Sequence, residues 1–167
     1  MKKRDSGFTY LALLFLVATL GVLLAQTGMV WSTAQQRAKE RELLFVGNAY
    51  RTAIGLYYER APGTLKYYPK TLDALLLDTR QLATTRYLRS RYIDPMTAAP
   101  QWGVVRAPDG GIMGVYSLSD IPTIKRSGFA ERDKVFEGAT SYAGWRFVYE
   151  PPQAGSGSGA ATPRTQR

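Results

Sequence analysis

Eight carboxylates spread along the middle of the chain carry most of the acid–base chemistry open to it: Asp73, Asp78, Asp94, Asp109, Asp120, Glu131, Asp133 and Glu137. Two of them brought into one concave site would suit glycoside hydrolysis, with one carboxyl as acid and the other as base or nucleophile. Composition closes the other familiar routes. The chain has no Cys and no His, so Ser-His-Asp and Cys-His nucleophiles are absent, as are zinc sites built on those ligands. No Gly-Lys-Ser/Thr phosphate loop and no Gly-x-Gly-x-x-Gly occurs. Scattered acidic residues are the ordinary expectation for a small surface, and the chain reads as a non-enzyme without a cofactor.

A second constellation is basic. Arg86, Arg89 and Arg91 are interleaved with Tyr87 and Tyr92. Such a patch suits DNA or an acidic protein partner; the same residues also suit a solvated face. The formal net charge is +9, but part of it sits in Lys2, Lys3 and Arg4 at one end and in Arg164 and Arg167 at the other. Nucleic acid is therefore not the first expectation.

These residues must be positioned by a scaffold that begins with a long apolar helix. From Phe8 to Trp31 no side chain is charged. At ~1.5 Å per residue such a stretch matches the bilayer core of roughly 30 Å. The basic leader predicts that the N-terminus stays cytoplasmic. A secretory signal peptide would be shorter and would end in a small-x-small step; a plain signal anchor is the other simple reading. Residues 32–60 contain no Pro, and Val46, Tyr50, Ala53, Ile54 and Tyr57 recur at spacings of three and four, one apolar stripe. Ala61-Pro62-Gly63 ends the helix.

Beyond the helix, Thr71 is placed to cap a short helical turn over Leu72–Leu76. Strand signals follow at 101–106, 112–117 and 145–149, the first two separated by the turn sequence Pro108-Asp109-Gly110-Gly111. Residues 118–144 read as a long, mostly polar loop and a partner-contact surface. From Pro151 the run of Pro, Gly and Ser predicts a flexible tail.

Residues 7–14, Gly-Phe-Thr-Tyr-Leu-Ala-Leu-Leu, resemble the processing and assembly motif of type IV pilins and of the pseudopilins of type II secretion. The match rests on Gly7, Phe8, Thr9, Leu13 and Leu14, and Gly21-Val22-Leu23-Leu24-Ala25 is similar to a following family segment. Tyr68-Pro69, the Leu-rich turn and Asp94-Pro95 are similar to features of the major-pseudopilin subgroup. The resemblance implies cleavage after Gly7 and N-methylation of Phe8. It also implies assembly through a helix bearing Phe8, Thr9, Leu11, Ala12, Leu13 and Leu14, with Gly21 and Gly28 permitting close helix approach. Ala12 departs from the pattern, because the family has Glu there; a minor subunit is the implied role. Family members of the major subgroup carry an acidic calcium loop. In this chain Asp120 and Asp133 would be the candidates, but the surrounding basic side chains argue against a site, and no metal is expected.

The expectation is then an α+β, pilin-like fold: a long N-terminal helix, membrane-spanning in its first half, packed on a small antiparallel sheet. Its parts are a prepilin leader (1–7), a transmembrane half-helix (8–31), a head including the second half of the helix (32–150) and a disordered tail (151–167). The implied function is a structural subunit of a type II secretion pseudopilus, or alternatively a minor pilin of a type IV pilus or DNA-uptake system that binds nucleic acid through the basic patch. The implied partners are other pseudopilins or pilins, a prepilin peptidase and an inner-membrane assembly platform. The implied location is the bacterial inner membrane, single-pass, with a periplasmic head.

Overall fold

The computed structural model describes residues 6–80 and 84–152, and for residues 6–7 and 22–30 the backbone alone. One α-helix, α1 (Ser6–Glu59), opens the chain. Three short strands follow: β1 (Gly103–Arg106), β2 (Ile112–Tyr116) and β3 (Phe147–Val148). They form one sheet in the order β1-β2-β3. Short 3₁₀ turns occur at Leu72–Leu75, Glu131–Phe136 and Tyr142–Gly144. The architecture is thus α+β with a small three-stranded sheet.

The expected membrane-spanning half-helix is corrected. Among the described residues no helix is long and apolar enough to cross a membrane. The described side chains of the apolar run end at Gly21, short of the roughly 20 consecutive apolar residues a span needs. The single-pass inner-membrane placement and the membrane contact inferred from that half-helix fall with it. The leader residues 1–5 and the tail residues 153–167 lie outside the described residues.

The chain divides into two compact units. The first comprises Met1–Asn48, Tyr92–Gly103 and Tyr116–Arg146. Its core is aromatic. Phe136 stacks on Trp145 with centroids 5.8 Å apart, and Phe129 and Tyr142 each meet Trp145 edge-on at 5.3 Å. Such pairs contribute beyond simple area burial. The stretch expected to be a long polar loop therefore supplies this core. It is held by a bridge between Pro122 and Ser141. The Thr123 hydroxyl also donates to the Ala139 carbonyl at 2.9 Å. Asp94, fully buried, organises the turn it begins. Its carboxylate accepts from the Met96 N–H at 2.9 Å, the Thr97 hydroxyl at 3.1 Å and the Ser117 hydroxyl at 2.7 Å.

The second unit comprises Ala49–Arg91, Val104–Val115 and Phe147–Arg167. Tyr50, Ala53, Ile54 and Tyr57 of α1 are buried, as the stripe predicts. β2 and β3 pair antiparallel, with Gly114 opposite Val148 and Val115 opposite Phe147. The Arg51 guanidinium lies 5.5 Å from the centroid of the Phe147 ring. Gly55 is required by close approach, because a Cβ there would sit 2.7 Å from ring carbons of Tyr149. The turn before β2 is fixed by Asp109, whose carboxylate accepts the Gly111 N–H at 2.9 Å, and by Gly110 at φ 78. Thr71, expected to cap the turn after it, makes no side-chain capping bond.

Candidate functional site

The apolar surface of α1 is the most prominent feature of the first unit. Nine large apolar side chains (Phe8, Tyr10, Leu11, Leu13, Leu14, Phe15, Leu16, Val17 and Leu20) are exposed to between 49% and 78%. They surround the helix rather than forming one stripe, because no charged residue interrupts the sequence. Thr9 and Ala12 are exposed on the same segment. Gly21 has nothing within 4 Å of a built Cβ, so its flank is open. Gly7 and Gly28 are helical in backbone, but their surroundings lie outside those described. Thr19 turns its hydroxyl onto the Phe15 carbonyl at 2.7 Å, which leaves the segment without an outward polar group at that position.

Glu40 begins the buried part of α1. Its side chain is shielded from solvent, and Oε1 accepts the N–H groups of Ile124 and Lys125, each at 2.9 Å. The Tyr142 hydroxyl donates to the same oxygen at 3.0 Å. One turn earlier, Gln36 donates through Nε2 to the Tyr142 oxygen at 2.9 Å and to the Pro122 carbonyl at 3.0 Å. Burial raises the Tyr142 pKa above its usual value, with Glu40 adding to the rise. Beside this hub opens a cleft of about 360 Å³ lined by Arg37, Glu40, Arg41, Ile124, Lys125, Arg126 and Ser127.

The second unit holds a compact ion-pair cluster. Arg80 donates to both Asp78 oxygens at 2.8 and 2.7 Å and to the Tyr57 carbonyl at 2.9 Å. Its guanidinium lies 3.4 Å from the Tyr57 ring centroid. The Tyr87 hydroxyl reaches Asp78 at 3.0 Å. These bonds, first of all those from Arg80, hold the Asp78 carboxyl down at about 2.

The basic constellation read from the sequence lies at the surface. Arg86, Arg89 and Arg91 are all exposed, and Arg91 pairs with Asp73 at 3.0 Å. Of the carboxylates, Asp78 and Asp94 are tied up as above, and Asp109 serves its turn. Glu131 pairs with Lys134 at 2.7 Å. Asp133 is buried, accepting from the Asn48 amide at 3.1 Å. Asp120 is exposed. Among the described residues no group of three or more acidic side chains converges to hold a metal. Sequence reasoning missed the Glu40 hub and the Asp78–Arg80 pair. Arg37 and Arg41, four residues apart and flanking Glu40, were a usable signal for one cleft wall; nothing local signalled the other.

No family model, no curated protein and no solved structure matches the chain. Together with the lack of a membrane-spanning helix among the described residues, this corrects the expected role as a subunit of a type II secretion pseudopilus, or of a type IV pilus or DNA-uptake system. It equally removes the expected pilin-like partners, the peptidase and the assembly platform.

Proposed function

We propose that the chain is a non-catalytic interaction protein that associates with further copies of itself through the apolar segment Phe8–Leu20 of α1. The supporting observation is the ring of nine exposed large apolar side chains on a helix that continues into packed structure. Monomeric proteins rarely expose contiguous apolar patches beyond a few hundred Å². The same segment of another copy is the complementary surface available: it is apolar, uncharged, and bears Ala12 and the open flank at Gly21 for close approach. Kinship with pilin-type chains belongs to this proposal only at the level of residues 7–14. There it means a cut after Gly7 and a methylated amine on Phe8, which intact-mass analysis of the natural protein reads directly.

Sedimentation velocity of the full chain over a range of concentrations tests the association. The expected result is a concentration-dependent oligomer that a Leu13→Ser/Leu16→Ser variant reduces to monomer, with helix content by circular dichroism unchanged. A wild-type chain that stays monomeric throughout, or that leaves solution only by floating with phosphatidylcholine vesicles, would overturn it.

A further inference from the structure

The cleft beside Glu40 plays no part in the association proposed above. One wall is a face of α1, with Arg37 and Arg41 one turn apart; the other is the segment Ile124–Ser127. Four cations, Arg37, Arg41, Lys125 and Arg126, therefore share about 360 Å³ with a single carboxylate. None of the four is ion-paired among the described residues. Glu40 can offset only one of the four charges, and its Oε1 accepts from the Ile124 and Lys125 N–H groups and the Tyr142 hydroxyl. Its effect is positional: it fixes the backbone of Lys125 against the helix. The Lys125 ammonium is further steadied 5.0 Å from the Phe129 ring centroid.

Like charges gathered in one concave space repel, and a multiply charged anion relieves that repulsion. Guanidinium forks match the oxygens of a phosphoryl group two at a time. The volume falls in the range of small-molecule pockets. No exposed aromatic lines the walls to stack a base, which separates this cleft from a nucleic-acid groove. We infer that the cleft binds a small soluble phosphoryl compound, a phosphate monoester or a diphosphate.

Pyrophosphate is the probe. Titrated into the full chain at low ionic strength and followed by isothermal titration calorimetry, it should bind one-to-one. Arg41→Ala and Arg126→Ala should each weaken binding at least about ten-fold, the scale of one lost charge-assisted hydrogen bond or more. Both side chains are exposed, so folding should persist, and circular dichroism checks it. An Arg86→Ala/Arg89→Ala control removes two exposed cations elsewhere and should bind like the wild type. Absence of heat, or equal weakening in the control, overturns the inference. So does binding to phosphatidic-acid vesicles or to a single-stranded oligonucleotide without binding to pyrophosphate, since either would place the phosphoryl group on a lipid or a polymer.

Discussion

Two stretches of α1 carry the same kinds of large apolar side chain and have opposite fates. Phe8–Leu20 leaves its Leu, Phe and Val side chains in the open, whereas Leu43, Val46, Tyr50, Ala53, Ile54 and Tyr57 are buried. Residue type does not separate them; interruption does. In the later stretch Arg41, Glu42, Arg51 and Thr52 break the apolar sequence into one stripe, and a stripe gives a fold a single face to cover. The earlier stretch has no polar side to keep in water, so covering one face leaves the others bare. Burial begins at Glu40, and beyond Tyr57 the Arg80 guanidinium closes on that residue's carbonyl. A buried carboxylate near one limit of the covered stretch and a buried ion pair at the other define it in sequence.

The largest effect should come from carrying one substitution across both stretches. Ile54→Ala removes a fully buried side chain and should cost about 3 kcal/mol in urea unfolding, within the usual range for such truncations. Leu14→Ala removes a half-exposed one and should leave unfolding within about 0.5 kcal/mol, while weakening self-association. Equal costs at the two positions would break the distinction.

The distinction sharpens at its first limit. Glu40→Ala strips one acceptor from three donors at once. Buried donors left unpaired cost about 1–3 kcal/mol each before relaxation, so a loss of about 3 kcal/mol is expected. Glu40→Gln retains an acceptor oxygen and should recover about half of it. Equal losses in the two variants would mean that the side chain contributes packing rather than hydrogen bonding.

How far this was legible follows from the range of each interaction. The end of α1 near Ala61, the three strand positions and the Asp109-Gly110 turn lie within a few residues of their cause, and the sequence reading places each of them. The short turn at Leu72–Leu75 is there too, but without the Thr71 cap, because that hydroxyl makes no bond to the turn's N–H groups. Residues 118–144 read as loop because the stretch is mostly polar and Phe129, Phe136 and Tyr142 follow no helical or strand period. They cluster around Trp145 through packing alone. The Glu40 hub joins positions 84 to 102 residues apart, a separation that no local pattern encodes. For the same reason nothing in the sequence joins Arg37 and Arg41 to Lys125 and Arg126 across the cleft. At the apolar segment the absence of charge is plain in the sequence, but what covers the segment is not encoded there, and no described helix is long and apolar enough to cross a membrane.

At the far limit of the covered stretch the expected effect is smaller and depends on pH. Asp78 titrates at about 2 in the folded chain against an ordinary 3.8, chiefly through its hydrogen bonds from Arg80 and despite the opposing effect of burial. A folded-state value below the unfolded one means that the contribution is fully present above about pH 4 and is lost as the pH falls through about 2. The shift corresponds to about 2 kcal/mol, and the carboxylate is 2% exposed, so solvent screening removes little of it. Stability measured by urea unfolding from pH 5 down to pH 2 should therefore fall along a limb that Asp78→Asn flattens, with the variant already weaker at pH 5. An unchanged limb would mean that the Asp78–Arg80 pair contributes nothing to the acid loss.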